Sequence, residues 1–474
     1  MIKTRIAPSP TGDPHVGTAY QALYNYVFAK QNNGNFIVRI EDTDRARFNL
    51  ESQKRILEML DWLGISPDES PVVGGPNAPY IQTERAAMHQ EHAQILLSNG
   101  WAYRAFDTAE QLSAAREQAK LEGRMEQGYN RRDRNLSRTD SDARAISGEP
   151  FVVRLKVPLD GKTIVNDLLR GEVEFENSGI DDKVLLKADG LPTYHLAAMV
   201  DDRLMGVTHV IRAEEWLSST PIHVLIYKAF GWEEPKWIHT PLLRNPDKSK
   251  LSKRKSNTSV DSYREMGIFP EVLLNYLGMM AWSMPDAREV FSVSDMIEHF
   301  SWDRVSLGGP VFDLDKLTWL NGKYIREVLS LEDLVARATP FLEKAGFEVS
   351  RQTYVSSVIN VLRERFNLLS ELPEKAAYFF KDIVLDEKAA AKMHEGREHL
   401  RALLPQLEAV NNWDQAELEP IFKGYAESAG AKLGAVMQPL RAAVTGRLES
   451  PGMYEVLMVL GKEKVLARVQ DALG

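Results

Sequence analysis

Three prolines within seven residues, at positions 8, 10 and 14, interrupt the chain almost at its beginning. Proline has no backbone N–H, so this segment is predicted to be a loop between regular elements. Residues 4–7 read as a short strand, apolar residues then recur at helical spacing from His15 to Gly34, and residues 36–40 read as a second strand. A strand, a helix and a strand in this order form a βαβ unit, which predicts a parallel sheet with its ligand site at the carboxyl ends of the strands.

The rest of the chain divides into an α/β part and a helical part. A helix is predicted at 51–63, and the pattern then changes between about 80 and 190, which we interpret as an inserted domain. Its predicted elements are helices at 85–99 and 112–121 and strands at 151–157 and 172–175. Strands at 184–186 and 207–211 return to the α/β pattern. Beyond residue 255 helices predominate, with predicted examples at 271–280, 331–345, 355–370 and 387–404.

Composition narrows the class of protein. A chain of 474 residues exceeds what one hydrophobic core usually supports, so several domains are expected. The net charge of −9 means that any contact with nucleic acid must be local. The absence of cysteine excludes disulfides and thiolate metal sites, and no apolar run reaches the roughly 18 residues typical of a membrane span. We therefore expect a cytoplasmic protein.

The first motif of interest is His15-Val16-Gly17-Thr18, where the proline-rich loop enters the helix. A helix start offers unpaired N–H groups and a positive dipole end, which suit a phosphate. Because Gly17 has no Cβ, a flat ring can lie directly on the backbone at this position. The imidazole of His15 can donate to a phosphate oxygen. Taken alone, such a histidine is more often a helix cap or a surface residue.

The second motif is a basic run at residues 248–255, in which five of eight side chains are lysine or arginine. Such a concentration of charge in a net acidic chain favours a polyphosphate ligand. A solvated loop, or a patch for the backbone of a nucleic acid, is the alternative for such a run on its own.

Together the two motifs resemble the paired signatures of the class I aminoacyl-tRNA synthetases. The loop at 8–18 is similar to the HIGH signature in its glutamate and glutamine form, and Lys250-Leu251-Ser252-Lys253-Arg254 is similar to the KMSKS signature, with leucine in place of methionine. Further segments resemble bacterial glutamyl-tRNA synthetases: residues 37–44, 192–196, 212–216, 312–314 and 321–324. No Walker A or dinucleotide-binding glycine pattern competes with this resemblance.

The resemblance implies a multidomain α/β fold. A Rossmann-like catalytic domain with a parallel sheet would be split between 1–85 and 190–248, around an α+β insertion at 86–189 that binds the acceptor end of tRNA. A stem-contact domain at 249–329 would carry the KMSKS-like loop. Helical bundles that bind the anticodon would occupy 330–382 and 383–474.

The resemblance also assigns the glutamate-binding residues. Arg5 and Arg212 would bind the side-chain carboxylate, and Glu41 would bind the ammonium group. Arginine offers its donors in the geometry that a carboxylate accepts. Ala7, Ser9 and Tyr194 would complete the pocket. Without the surrounding motifs, Arg5 and Glu41 would read as an ordinary ion pair and Tyr194 as a core aromatic.

On the nucleotide side the resemblance implies that Gly17, Glu215, Trp216, Leu243 and Lys253 bind ATP. Trp216 could stack on adenine, although an isolated tryptophan is commonly a buried core residue. His15, Lys250 and Lys253 would be the catalytic residues, stabilising charge on the phosphates. Magnesium would arrive with ATP, and no structural zinc is expected because the cysteines of many relatives are missing here.

For the tRNA, Arg365 matches an arginine that distinguishes the last anticodon base in some members. The arginine-rich stretch of the insertion would contact the acceptor end through phosphates; its members are Arg124, Arg131, Arg132, Arg134 and Arg138. The implied partners are tRNA-Glu, L-glutamate and ATP, with no membrane or DNA, and the protein is expected to be a monomer. A glutaminyl-tRNA synthetase, a shortened paralogue that glutamylates a tRNA base, and a catalytically idle tRNA-binding protein are the competing interpretations.

Overall fold

The computed structural model describes residues 1–45, 47–121, 129–251 and 258–474. The chain forms two compact units. The first comprises residues 1–264 and 270–313, and the second comprises residues 265–269 and 314–474. Of the helices in these described ranges, none combines the length and the apolar character needed to cross a bilayer.

The strands of the first unit fall into parallel and antiparallel groups. In chain order they are β1 (Lys3–Ile6), β2 (Asn35–Val38), β3 (Ala102–Ala105), β4 (Val152–Leu155), β5 (Lys162–Asp167), β6 (Gly171–Glu176), β7 (Val184–Leu186), β8 (His209–Ala213) and β9 (Lys236–Thr240). The helices up to residue 313 are α1 (Val16–Gln31), α2 (Leu50–Trp62), α3 (Ala86–Ser98), α4 (Ala109–Leu121), α5 (Arg138–Ile146), α6 (Tyr194–Leu204), α7 (Thr220–Phe230), α8 (Val260–Met266), α9 (Pro270–Gly278) and α10 (Val293–His299).

The parallel strands carry the predicted βαβ architecture. β1 pairs with β2 in parallel, with Lys3 opposite Asn35, and α1 connects them. β8 and β9 form a second parallel pair connected by α7. Hydrogen bonds between Lys3 and Thr208 join the pairs: Lys3 N donates to Thr208 Oγ1 at 2.9 Å, and Lys3 O accepts from Thr208 N at 3.0 Å and from Thr208 Oγ1 at 3.1 Å. The predicted fold class is confirmed, and the residues that follow these strands meet at one edge.

The segment between β2 and β8 adds two further groups of strands. β3, β4 and β7 form an antiparallel sheet in the order β3-β4-β7. β5 and β6 form a hairpin, and Asp167 at the end of β5 pairs in parallel with Trp237 of β9. The hairpin therefore extends the β8–β9 sheet, although it lies within the segment that the sequence predicts as an insertion.

The core of the first unit follows the predicted periodicities. Along α1, the apolar residues at helical spacing are all buried, from Val16 through Leu23 to Val27. Ile37 of β2, Val210 of β8 and Trp237 of β9 belong to one buried cluster. Burial of these side chains supplies the main driving force that holds α1 and α7 against the strands.

The second unit consists of helices, as its sequence pattern predicts. They are α11 (Leu314–Lys323), α12 (Leu331–Lys344), α13 (Gln352–Leu362), α14 (Leu372–Phe380), α15 (Glu387–Glu395), α16 (Arg397–Glu408), α17 (Gln415–Ser428), α18 (Leu433–Thr445), α19 (Met453–Leu460) and α20 (Lys462–Leu473).

Two predicted helices of this unit were too long. The helix predicted at 387–404 is divided at Gly396, where an added Cβ would lie 2.0 Å from Cγ of Pro439; the close packing of α18 leaves room only for glycine. The helix predicted at 355–370 ends at Leu362. A short 3-10 turn, Arg363–Arg365, follows, and Arg363 Nε donates to the backbone of Ile325 at 2.6 Å. Tertiary contacts determine where these two helices stop, and such contacts cannot be inferred from the periodicity of the sequence.

Candidate active site

A cavity of about 970 Å³ opens where β1, β2, β8 and β9 end, within the first unit. Twelve residues singled out in the sequence line it, although they come from segments up to 245 positions apart. They are Arg5, Ala7, Ser9, His15, Gly17, Glu41, Tyr194, Arg212, Glu215, Trp216, Leu243 and Lys250. Lys253 lies outside the described residues, and Arg365 is an exposed residue of the second unit. A cleft of this volume suits a small-molecule substrate.

Arg5, at the floor of the cavity, is held by a buried carboxylate. Its Nε and Nη2 donate to Asp202 at 3.2 Å. Asp202, on α6, also accepts from Nη1 of Arg39 at 2.8 Å. One carboxylate thus orients two guanidinium groups, and Arg5 keeps N–H donors in addition to those that face Asp202.

Glu41 lies beside this network and accepts from Nη2 of Arg39 at 3.3 Å. Burial raises the pKa of Glu41 to about 7, against the opposing charges of Arg39 and Arg5. The alternative reading, an ordinary ion pair of Arg5 with Glu41, does not describe the site, because Arg5 pairs with Asp202 and Glu41 pairs with Arg39. A buried carboxylate of this kind gains stability when a cationic ligand arrives.

Arg212, at the carboxyl end of β8, is surrounded by neutral groups. Its Nη1 donates to the Tyr194 hydroxyl at 2.9 Å, and its Nη2 donates to Thr220 Oγ1 at 2.9 Å and to His223 Nδ1 at 3.1 Å. Its Nε donates to His239 Nε2 at 3.1 Å. Among the described residues no carboxylate pairs with this guanidinium. A buried cation without an anionic partner favours the binding of an anion.

The histidines around Arg212 were not predicted as site residues from the sequence. Burial and the charge of Arg212 hold the pKa of His223 well below its usual value. Burial also lowers the pKa of His195, whose Nδ1 lies 3.1 Å from His223 Nε2, to about 4. These rings are therefore neutral at physiological pH. No local motif marks them, and β9 gives no alternating signal because its residues 237–240 are all buried.

The side of the cavity that the sequence predicts to bind the nucleotide is the start of α1. His15 is the N-cap, and its Nδ1 accepts from the Gly17 N–H at 2.9 Å, so the ring proton sits on Nε2. A Cβ on Gly17 would lie 3.0 Å from His15 Nδ1. The loop therefore presents both an imidazole donor and a helix N-terminus to the same cavity.

Lys250 forms an ion pair with Glu215, which brings the second motif to the turn that follows β8. In the same turn Trp216 is 37% exposed, and its ring centroid lies 4.6 Å from that of Tyr194. The alternative of a buried core indole is wrong for Trp216. Leu243 O accepts from Leu251 N at 3.0 Å, so the chain after β9 and the second motif run side by side.

Backbone hydrogen bonds also tie the chain after the second motif to the first motif. Val16 N donates to Thr258 O at 2.8 Å, and Val260 N donates to Pro14 O at 3.1 Å. Leu251, the last described residue before position 252, lines the cavity. Thr258, the first described residue after position 257, is hydrogen-bonded to Val16, next to His15.

The arginine-rich stretch of the insertion divides into two kinds of residue. Arg131 and Arg134 form ion pairs with the buried Asp182, at 3.3 and 2.7 Å, and stabilise their own segment. Arg132 and Arg138 are exposed and form only long pairs with aspartates, at 3.6 and 3.8 Å. Arg124 lies outside the described residues. Of the described arginines of this stretch, Arg132 and Arg138 are the two that are exposed.

The described side chains contain no cluster of three or more histidine, aspartate or glutamate residues arranged to hold a metal ion. Asp42 accepts from Thr83 N at 2.8 Å, and Asp201 accepts from Arg85 Nε at 2.6 Å. Both carboxylates are thus engaged by protein donors.

Comparison with known proteins identifies the class. Residues 1–319 match the family described as tRNA synthetases class I (E and Q), catalytic domain, and residues 333–473 match an anticodon binding domain. A glutamate–tRNA ligase of Thermus thermophilus is 57% identical over 475 residues, which cover 100% of both chains. That of Deinococcus radiodurans is 50% identical and is aligned over 99% of this chain and 98% of its own.

A solved structure gives the same result. A glutamate tRNA ligase from Elizabethkingia meningosepticum, in complex with its amino acid, superposes with a TM-score of 0.92 at 35% identity, over 100% of this chain and 99% of that chain. The fold is that of a class I tRNA synthetase. The chain belongs to the glutamate–tRNA ligase family, and the resemblance inferred from its motifs is confirmed.

Proposed function

We propose that this protein activates L-glutamate with ATP to form glutamyl-adenylate and transfers the glutamyl group to the 3′-terminal adenosine of tRNA-Glu. The observation that carries the proposal is the cavity in which two arginines, one carboxylate and the start of α1 face one another. Glutamate needs cationic partners for its carboxylates and an anionic partner for its amine, and ATP needs phosphate donors.

In the glutamate half of the cavity, Arg212 would bind the side-chain carboxylate. This group would supply the anionic partner that Arg212 lacks among the described residues. The Tyr194 hydroxyl accepts from Arg212, so its own proton can be donated to the same carboxylate. Arg5 would donate a further N–H, and the ionised form of Glu41 would accept from the ammonium group. Ala7 and Ser9 line the pocket without adding charge.

In the nucleotide half, the phosphates of ATP would lie against His15 and Gly17, and adenine would pack between Trp216, Leu243 and the backbone near Glu215. ATP would enter as its magnesium complex. An oxygen of the glutamate α-carboxylate would attack the α-phosphorus, and the bond to pyrophosphate would break. Nε2–H of His15 and the ammonium groups of Lys250 and Lys253 would stabilise the charge that develops on the phosphate oxygens.

In the second step a hydroxyl of the terminal adenosine would attack the carbonyl carbon of the adenylate and release AMP. Arg132 and Arg138 support contact with the tRNA backbone, and Arg365 in the anticodon-binding unit supports a preference for tRNA-Glu. The absence of zinc, the monomeric state and the cytoplasmic location stay predictions.

A charging assay tests the proposal. Purified protein with ATP, magnesium, tRNA-Glu and labelled glutamate should yield acid-precipitable label, and labelled glutamine should yield far less. If label never becomes attached to tRNA at any magnesium concentration, the proposed function is wrong. Pyrophosphate release that proceeds without transfer would limit the function to glutamate activation.

A further inference from the structure

The guanidinium of Arg212 has five N–H donors, and the structure accounts for four of them. Nε donates to His239, Nη1 to Tyr194, and Nη2 to both Thr220 and His223. The fifth N–H, on Nη1, has no protein acceptor within the described residues. Since Nη1 also contacts Tyr194, which lines the cavity, this is the donor that a ligand there can use.

His239 fixes the orientation of Arg212 only if its Nε2 carries no proton. The structure ensures this through Asp167: the Oδ2 atom lies 2.6 Å from His239 Nδ1 and also accepts the backbone N–H of His239 at 3.0 Å. A carboxylate can only accept, so the ring proton sits on Nδ1, and Nε2 presents its lone pair to Arg212. Burial lowers the pKa of His239, although the hydrogen bond that its Nδ1–H donates to Asp167 opposes this shift, and the ring is therefore neutral.

Asp167 is itself held rigidly. Its Oδ1 accepts from the backbone N–H groups of Leu169 at 2.9 Å and Arg170 at 3.0 Å, in the turn that connects β5 to β6. Asp167 is 3% exposed and His239 is fully buried, and neither of them lines the cavity. Both therefore lie behind Arg212, out of reach of a substrate.

We propose that Asp167 and His239 are positioning residues for glutamate selectivity: Asp167 sets the tautomer of His239, which aims the remaining N–H of Arg212 at the substrate's side-chain carboxylate. This inference rests on the proposed function. With the opposite tautomer, an N–H of His239 would face the N–H of Arg212, and the guanidinium would turn away. The neutral ring also leaves the charge of Arg212 uncompensated, so a carboxylate is preferred to the carboxamide of glutamine.

Three substitutions separate this role from a general structural one. In Asp167→Asn, the amide can donate to His239 Nδ1 and so favour the wrong tautomer. His239→Gln places an amide oxygen near the position of Nε2 and keeps an acceptor for Arg212. His239→Asn keeps only the contact with Asp167. His209→Gln is the matched control, because His209 lies on the same strand as Arg212 and outside the cavity.

The measurement is aminoacylation with glutamate varied at saturating ATP and tRNA, and then with ATP varied at saturating glutamate. Asp167→Asn and His239→Asn should raise the glutamate KM by roughly 10- to 100-fold, the loss expected for a hydrogen bond to a charged group. Their ATP KM should stay within about twofold of the unmodified value, and their preference for glutamate over glutamine should fall. His239→Gln should recover most of the glutamate affinity, and His209→Gln should change neither constant.

Two results would overturn the inference: a glutamate KM that is unchanged in Asp167→Asn and His239→Asn, or equal losses in His239→Gln and His239→Asn. If Asp167→Asn fails to fold by circular dichroism, the two His239 variants still decide the matter. If the unmodified protein does not charge tRNA with glutamate, the proposed function fails instead. The two failures are therefore distinguishable.

Discussion

The carboxylate of Glu41 accepts a 3.3 Å hydrogen bond from Nη2 of Arg39, and it does so in a buried position beside the glutamate pocket. Arg39 is shared, because its Nη1 also donates to Asp202. Its Nε also lies 3.8 Å from Asp201, so the charge available to stabilise ionised Glu41 is divided among three carboxylates. The effect of burial is larger than the opposing effect of the nearby cations, so the pKa of Glu41 rises from 4.5 to about 7.

This pKa predicts a pH-dependent glutamate affinity. Only ionised Glu41 can accept from the substrate's ammonium group, and the ionised fraction falls as pH drops through 7. The glutamate KM at pH 6 should be about tenfold that at pH 8, measured at saturating ATP and excess magnesium. Glu41→Gln should have a high KM that is flat over this range. A glutamate KM in the unmodified protein that does not vary between pH 6 and 8 would refute the role.

Lys253→Ala tests the second motif. If the ammonium group stabilises the departing pyrophosphate, adenylate formation should slow by about 100- to 1,000-fold, as followed by quenched-flow measurement with tRNA present. Lys248→Ala is the matched control, because Lys248 is exposed in the same basic run and does not line the cavity. An unchanged rate for Lys253→Ala, or equal losses in both variants, would remove the catalytic role.

Gly17→Ala tests the close approach at the start of α1. The added Cβ would lie 3.0 Å from His15 Nδ1, so the imidazole must shift. We expect kcat/KM for ATP to fall about tenfold, because catalytic geometry tolerates little displacement. Thermal stability should be retained or rise slightly, since alanine favours a helix over glycine by about 1 kcal/mol.

Gly424→Ala, in helix α17, is the control for Gly17→Ala. Its added Cβ has no neighbour within 4 Å. It should gain the same helix propensity while leaving the ATP kinetics unchanged. If Gly17→Ala and Gly424→Ala have equal ATP kinetics, then ATP does not need the open space beside Gly17.

Arg365→Gln tests the anticodon-binding unit. Arg365 is exposed, at the end of the turn that follows α13, where a base edge can reach it. The ratio of kcat/KM for tRNA-Glu to that for tRNA-Gln should fall about 10- to 100-fold, the value of one good base contact. Arg401→Gln, which removes another exposed arginine of this unit, should leave the ratio unchanged. Unaltered discrimination by Arg365→Gln would contradict the role.

Many residues that line the cavity could be named from the sequence because they lie in short motifs. The prolines at 8–14 and the helical spacing after His15 define a loop at the carboxyl end of a strand, and both β1 and β2 were located within two residues. The resemblance to a known family then supplied distant members such as Arg212. The residues of a motif are neighbours in the sequence, so a motif can be recognised without the structure.

The groups behind the cavity could not be predicted, because they come together only in the folded chain. Asp167 and His239 are 72 positions apart, and Arg39 and Asp202 are 163 apart. β5 and β9 also went unrecognised. β5 alternates buried and exposed residues, but its buried positions include Thr163 and Asp167, so a search for apolar alternation passes over it. The sequence alone does not show that a polar residue is buried; its partner in the folded chain must be known first.

The backbone pairing between residues 14–16 and 258–260 has a consequence for how this family of sequences can vary. Main-chain atoms make these bonds, so either segment can exchange most side chains without loosening the junction. A change in length is different, because losing one residue beside Val16 or Val260 would move the paired N–H and C=O groups out of register and break these bonds. Apart from His15, whose imidazole is proposed to stabilise the phosphates, these positions should tolerate point substitutions, while insertions and deletions should be rejected.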